Sequence, residues 1–564
     1  MADDNFPTGT AGLEQSVATP VVELSDGDEL DLTIAPATKE IAGDTVRMLA
    51  YNGSIPGPTL KVQQGSEIVV NARNEGDLEA TVHWHGLRLD NRYDGTHETQ
   101  APMPVGGSFT YRIEFPDPGV YWYHPHIRED YGQEMGLYGN IVVEPADPDY
   151  WPPAHREVVL TLDDILIEDG RVAAFSRTEP SYVAMGRFGT TMLVGGETEL
   201  SLNAKQGEIV RFFLTNTANT RVFRVGFAGA SMKLVGGDSG RVEHEELAED
   251  VILAPSERVV VDVLFDTAGE AALEHRTPEH TYRLATVAVS EDQAESLGDF
   301  HALRENADLV AERERIAPYL EAEPDKTLSL VAEMDMGDSA EGATGVFVCP
   351  MHADIVATWE GKCPKCGMKL LPAGADVAAP TDYACPMHPE ITSTWAGECP
   401  KCGMTLRATG AGTHEEHAHG HEHEHSHDAG DGIEWEDDMV EVNRETTPAN
   451  TRWLVVDKDT GDRGHAIDWR FRVGDQVKLR LVNEMDSDHP MHHPFHIHGA
   501  GRFLVLSRDG VTEPNLVWKD TVLIRTGETV DILLDVTNPG RWMAHCHIAE
   551  HHESGMMLTF TVEP

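Results

Sequence analysis

Basic residues are scarce in this sequence. It holds 43 Lys and Arg against 96 Asp and Glu, a formal net charge of -53 at pH 7, and so one-sided a balance argues against nucleic acid or an anionic membrane as partner. The charge suits instead a surface kept solvated in concentrated salt, as in a halophilic source. Long hydrophobic runs are missing as well: no stretch reaches 18 apolar residues, so no membrane span is expected. The opening MADDNFPTGTAGLEQ lacks the basic and apolar regions of a secretory signal. Cysteine is rare, with 7 in 564 residues. Six lie at 349, 363, 366, 385, 399 and 402, and the seventh is Cys546. None is left over for a disulfide in the main body, so metal binding is the reading for all seven.

A chain of 564 residues exceeds what one core supports, which predicts three or four domains. From about residue 20 strand-like alternation is broken by Gly, Pro, Asn and Asp, with few credible helices, the pattern of packed β-sandwiches. One unit recurs three times: Gly65 to Asn74, Gly207 to Asn216 and Gly474 to Asn483, each later joined by a second strand at Ser108 to Phe115, Glu257 to Phe265 and Glu528 to Leu534. Such self-similarity predicts three homologous sandwiches. The expected boundaries are 20–148, 149–325, and 326–340 with 433–564, the last interrupted by an insert at 345–409 and a His-rich linker at 410–432.

The first and third copies match further. Pro118 to His126 aligns without gaps to Pro539 to His547, with Cys546 in the place of Pro125, and His83-Trp84-His85-Gly86 aligns with His496-Ile497-His498-Gly499. The second copy has neither pair. One His-x-His is unremarkable in a chain with 29 histidines, but four at equivalent places in two repeats predict a metal cluster, and imidazole suits copper. In a strand, His545 and His547 share one face while Cys546 points to the other. Three consecutive residues could therefore serve two sites. Cys546, His551, a further His and the thioether of Met556 would form the His2Cys set of an electron-transfer copper.

His83-Trp84-His85-Gly86, His124-Pro125-His126, His493-Pro494-Phe495-His496-Ile497-His498-Gly499 and His545-Cys546-His547-Ile548-Ala549-Glu550-His551, followed by Gly555-Met556, resemble the four copper signatures of three-domain multicopper oxidases of the laccase and cuprous oxidase type. The resemblance covers nearly everything outside the insert. It implies three cupredoxin-like Greek-key sandwiches, an all-β fold, and four copper ions. His493, Cys546, His551 and Met556 would hold the type 1 copper; His83 and His496 the type 2; His85, His124 and His547 one type 3 ion; and His126, His498 and His545 the other. The implied reaction is one-electron oxidation of a donor, coupled to four-electron reduction of dioxygen to water. An axial Met implies a potential in the lower part of the family range, which favours easily oxidised donors. Asp94, before Gly95, matches an acidic residue beside the trinuclear site, and equally reads as a turn former. Where the cuprous oxidase branch often has Glu after the last type 1 His, this chain has His552, which leaves Glu550 and Glu553 as substitute proton-relay carboxylates.

The insert holds two copies of one unit: Cys349, His352, Cys363 and Cys366, then Cys385, His388, Cys399 and Cys402, with identical spacings. Facing Cys-x-x-His and Cys-x-x-Cys turns present four ligands tetrahedrally, the zinc-ribbon solution, and units this short need metal for stability. The pattern resembles the heavy-metal-binding domain of copper pumps and efflux proteins. Met351, Met368, Met387 and Met404 beside the thiolates tilt the metal from Zn towards Cu(I), while Trp359 and Trp395 read as small-core residues. The tract from His414 to His427 cannot pack a core and reads as a solvated linker or weak metal collector.

The expected function is thus an oxidase of Cu(I) or other metal in copper detoxification, with dioxygen as co-substrate. The alternative is a broad phenol and diamine laccase acting on small aromatic donors. A copper storage or chaperone protein is disfavoured because all twelve carried-over ligand positions are filled, and a copper nitrite reductase because that family lacks the type 3 pair. Oxygen chemistry and protection against copper favour an extracytoplasmic place, secreted or at the cell surface. Nothing in the sequence sets an oligomeric state.

Overall fold

The computed structural model describes residues 5–334, 345–373, 377–409, 431–485 and 487–564; the expected His-rich tract, His414 to His427, lies outside the described residues. Three β-sandwiches follow one another along the chain. The first packs a four-stranded sheet against a five-stranded one, and the second and third each pair a six-stranded with a five-stranded sheet. No helix of the described residues is long and apolar enough to cross a membrane.

The recurring Gly-to-Asn unit is a strand in each sandwich: Glu67–Asn74, Glu208–Asn216 and Gln476–Asn483. Each is bonded antiparallel to the second repeated segment, Ser108–Glu114, Arg258–Phe265 and Thr529–Val536 respectively. In Glu67–Asn74 burial alternates, with Ile68, Val70 and Ala72 inside, as a sheet with one wet face requires. Glu208–Asn216 is buried along its whole length, because both of its faces are covered.

The closing Asn has the same task three times. Asn74 donates from Nδ2 to the carbonyls of Leu78 (2.8 Å) and Met103 (2.9 Å), Asn216 to those of Arg221 (2.8 Å) and Leu253 (2.9 Å), and Asn483 to those of Met491 (2.6 Å) and Arg525 (3.0 Å). A buried side-chain amide thus ties the strand end to two loops whose carbonyls would otherwise lack partners. In the third sandwich one of those loops leads directly into His493.

The insert forms two small units of two-residue strands that share one six-stranded sheet, joined where Ala357 pairs with Ser393. The rings of Trp359 and Trp395 meet across that junction at 5.4 Å, so both are small-core residues. The whole is the all-β, cupredoxin-like architecture with zinc-ribbon-like units in the third sandwich.

Candidate metal centre

Two strand pairs, one in each outer sandwich, carry the histidines. His83–His85 lies antiparallel to Gly119–His124 with His83 opposite His124, and His493–Ile497 lies beside Gly540–Cys546 with His496 opposite His545 and Phe495 opposite Cys546. Strand alternation then sorts the third sandwich's ligand types: His493 and Cys546 fall on one side, His496, His498 and His545 on the other. The glycine that follows the first His-x-His of each outer sandwich, Gly86 and Gly499, permits the close approach of its neighbours. A Cβ on Gly86, at φ +85°, would lie 2.5 Å from Asp520 Oδ2, and one on Gly499 would lie 2.9 Å from the Leu87 carbonyl.

On the first side, Cys546 Sγ is 3.6 Å from His493 Nδ1 and 3.8 Å from His551 Nδ1, and the two ring nitrogens are 3.4 Å apart. Three donors at these separations match the edges of a trigonal His2Cys site. Met556 is fully buried in the same apolar cluster, held by its N–H to the His551 carbonyl (3.0 Å) and by its carbonyl from the Cys546 N–H (3.1 Å). Trp453 stacks on His551 at 4.0 Å, fixed by its indole N–H to the Val183 carbonyl of the second sandwich (2.7 Å). Burial pushes the Cys546 thiol up; a bound metal reverses this, since a coordinating thiol is deprotonated.

On the other side eight buried imidazoles converge. The ligand atoms of His83, His85 and His496, of His85, His124 and His547, and of His126, His498 and His545 lie within 4.8 Å of one another in each group. His498 Nε2 is 3.0 Å and His126 Nε2 3.4 Å from His545 Nε2. Burial holds His85, His124, His126, His498, His545 and His547 well below the usual imidazole range, which keeps the lone pairs free.

In six of the eight the opposite ring nitrogen is tied to the protein, whereas His126 Nδ1 and both ring nitrogens of His547 have no hydrogen-bond partner among the described residues. His83 Nδ1 donates to the Asp94 carbonyl (2.6 Å) and His498 Nδ1 to Asp94 Oδ2 (3.0 Å). His124 Nδ1 donates to the Pro125 carbonyl (2.8 Å) and His545 Nδ1 to the Cys546 carbonyl (2.9 Å), the same bond at aligned positions. His496 Nδ1 donates to the Asp520 carbonyl and His85 Nε2 to Asp520 Oδ1, at 2.9 and 3.0 Å. Among the described residues, His83 Nε2, His85 Nδ1, His124 Nε2 and His496 Nε2 are likewise buried without a hydrogen-bond partner, part of a donor set that copper ions fit.

Asp94 thus lies against His498, and it also precedes the turn at Gly95, whose φ is +82°. Of the expected relay carboxylates, Glu550 lies 3.4 Å from Thr220 Oγ1, and Glu553 accepts the Glu129 N–H at 3.1 Å. Burial raises these two, to about 8 and about 7.

Beside the imidazoles stand Glu129 and Arg258, which no sequence motif marks, and His552, which the sequence marked only as a departure from Glu. Glu129 Oε1 lies 3.1 Å from His126 Nε2 and its Oε2 lies 3.3 Å from His552 Nδ1, and the His552 ring is 4.3 Å from that of His545. Burial opposes protonation of His552, but the Glu129, Glu553 and Asp130 carboxylates together outweigh it and raise the pKa. The middle sandwich, without ligands of its own, supplies Arg258, whose guanidinium bonds both oxygens of Asp520 (2.7 and 2.5 Å). No spacing rule relates these residues, because they come from three sandwiches.

In the insert the two expected quartets are assembled. Cys349 Sγ is 3.6 Å from Cys366 Sγ and 3.6 Å from His352 Nδ1, and His352 Nδ1 is 3.4 Å from Cys363 Sγ. The second quartet repeats these separations at 3.6, 3.7 and 3.6 Å. With metal–sulfur bonds of about 2.3 Å the edges of a tetrahedron are about 3.8 Å, so the donors fit one cation each.

A family model described as multicopper oxidase matches residues 10–148, a second of the same description matches 438–564, and one described as heavy metal binding domain matches 346–373 and 383–409. Multicopper oxidase MmcO of Mycobacterium tuberculosis is 30% identical over 46% of this chain and 57% of its own length. Copper resistance protein A of Pseudomonas syringae pv. tomato is 31% identical over 26% of this chain and 24% of its own. The chain thus spans little more than half of the one relative and a quarter of the other. The solved structure of a multicopper oxidase from Campylobacter jejuni, described as a metallo-oxidase, superposes over 99% of both chains with a TM-score of 0.61 at 19% identity. Residues 10–148 and 438–564 thus carry the two multicopper oxidase domains that these models describe, and a tandem heavy metal binding domain lies within the third sandwich.

Proposed function

We propose that this protein oxidises a metal donor, Cu(I) first among them, at a type 1 copper and reduces dioxygen to water at a trinuclear copper cluster, as a copper-detoxifying enzyme. The observation that carries the reading is Cys546 within bonding reach of a shared metal with His493 and His551 while its chain neighbours His545 and His547 enter the histidine cluster. In this reading His493, Cys546, His551 and Met556 hold type 1 copper and His83 and His496 type 2. His85, His124, His547 and His126, His498, His545 hold the type 3 pair. The sandwiches are taken as 20–148, 149–325, and 326–340 with 433–564.

Copper supplies one-electron exchange at the cysteine site and dioxygen reduction at the histidine cluster. The protein supplies the rest. The peptide units on either side of Cys546 link the two sites covalently, so they cannot drift apart. Asp94 holds His83 and His498 in one tautomer, and Asp520 does the same for His85 and His496. The buried Glu129 carboxylate, between His126 and His552 Nδ1, is placed to take a proton from His552 and pass it towards the cluster. Burial of every ligand of the cluster excludes bulk water.

The insert favours a metal donor over a phenol. Its first unit is seated on residues 487–490, which run into His493. The names of relatives agree: one is a copper resistance protein and one solved structure a metallo-oxidase. An extracytoplasmic place follows from the same role. Oxygen uptake by the copper-loaded chain, with Cu(I) and with a phenolic donor in parallel, tests the proposal. Faster uptake with Cu(I) is expected, faster uptake with the phenol transfers the reading to a laccase, and no uptake with either leaves copper storage.

A further inference from the structure

The two metal-binding units of the insert are identical in ligand spacing but not in surroundings. The first is seated on the oxidase: Lys369 N–H donates to the Asp488 carbonyl (2.8 Å), Lys362 Nζ to the Ser487 carbonyl (2.7 Å) and Lys369 Nζ to the Met334 carbonyl (2.8 Å). Its Cys349, Cys363 and Met368 belong to the same apolar cluster as Cys546, Met556 and Trp453. Cys349, His352 and Cys363 are buried, and a Cβ on Gly367 would lie 3.3 Å from Pro490.

The second unit has its own small cluster of Cys385, Ile391, Cys399 and Leu406. It meets the first through the Ala357 and Ser393 pairing and through Thr358, whose hydroxyl donates to the Glu390 carbonyl at 2.8 Å. Its Cys385 and Cys399 are buried, but Cys402 is exposed, and Met387 is 69% and Met404 38% accessible, whereas in the first unit Met368 is 2% accessible and Cys366 half-buried.

Release of a tetrahedrally bound cation needs an incoming ligand to reach the metal or the shell to open. In the first unit opening means separating it from Ser487 and Asp488 and exposing part of the oxidase core. In the second an outside thiol or chelator can approach Cys402 directly. We propose that the units divide the work: the first is a fixed structural site that clamps the segment leading to His493, and the second is an exchange site that takes up and gives up a thiophilic d10 cation, Cu(I) or Zn(II). No electron transfer is involved, and the division does not depend on which donor the oxidase uses.

The test is metal release from the full-length, copper-loaded protein with Zn(II) bound in the insert, chased with a zinc-binding dye. Two phases of one equivalent each are expected, the fast one at least about 10-fold faster than the slow one, the factor that a barrier difference of about 1.4 kcal/mol gives. Cys385→Ser with Cys399→Ser removes the fast phase. Cys349→Ser with Cys363→Ser removes the slow phase and alters the visible absorption of the type 1 copper. Lys362→Met with Lys369→Met keeps all eight ligands, so it reports even if the cysteine variants misfold; it accelerates the slow phase towards the fast one. Release in a single phase from the unaltered protein, a fast phase that disappears with the Cys349 and Cys363 variant, or a slow phase untouched by the lysine variant overturns the proposal. A repeat of the chase with a Cu(I)-specific chelator on Cu(I)-loaded protein shows which cation exchanges faster.

Discussion

Arg258 of the middle sandwich grips Asp520 of the third through both carboxylate oxygens, with both residues buried. Although burial opposes ionisation, Arg258 holds the Asp520 carboxyl well below the usual carboxylate range. Through Asp520 the pair orients His85 and His496, so a sandwich without ligands is needed for the cluster's geometry. Arg258→Met leaves a buried carboxylate unpaired and is expected to cost about 3–5 kcal/mol of stability, read from chemical denaturation. Copper analysis of the surviving folded protein should show loss from the histidine cluster with the cysteine site filled.

Cys546→Ser removes the only thiolate of the oxidase core. Its blue absorption and turnover should vanish while the far-ultraviolet circular dichroism stays that of a β protein, because a serine fills nearly the same volume. Copper content is expected to fall by one equivalent, with the eight-histidine cluster retained; loss of the cluster's copper as well would show that the two sites assemble together.

Glu129→Gln keeps the shape and removes the carboxylate between His126 and His552. A drop of about 10²-fold in oxygen-reducing turnover is expected, the lower range for loss of a positioned proton donor. Anaerobic reduction of the type 1 copper by donor should keep its rate. If that step slows equally, Glu129 supports the fold rather than the proton supply.

Burial beside Asp164 and Asp130 raises Glu134 from 4.5 to about 7, with Arg187 pulling the other way. The folded state then binds its proton more tightly than the unfolded chain, so this group's stabilisation is complete below about 4.5 and is lost as pH rises through about 7. Glu134→Gln, which cannot ionise, should flatten the stability profile between those values by up to about 3 kcal/mol. Denaturation midpoints at a series of pH values measure it, and an unchanged slope would assign the dependence to other buried carboxylates.

The clustered histidines and Cys546 were legible because local rules produce their arrangement. His-x-His places two imidazoles on one face of a strand, Cys546 between two histidines points to the other, and a repeat shared by two sandwiches shows which pairs correspond. The Gly-to-Asn unit was visible as a repeat, yet its reason, an amide tying two loop carbonyls, required the loops to be seen. Glu129 had no signal at all: it lies three residues after His126 in a short helix, and its distance to His552 depends on how the first and third sandwiches meet.

By itself, then, the sequence determined the fold class, the four His-x-His pairs with Cys546 between two histidines, and the spacing of the two Cys and His quartets, since each depends on order within one strand or turn or on a repeat. The tertiary structure alone decided the pairing of Arg258 with Asp520, the placing of Glu129 beside the histidine cluster, and the unequal surroundings of two units with identical ligands. These are contacts between elements far apart in the chain, set by how apolar faces pack, and packing leaves no period in the sequence that marks which distant residues it brings together.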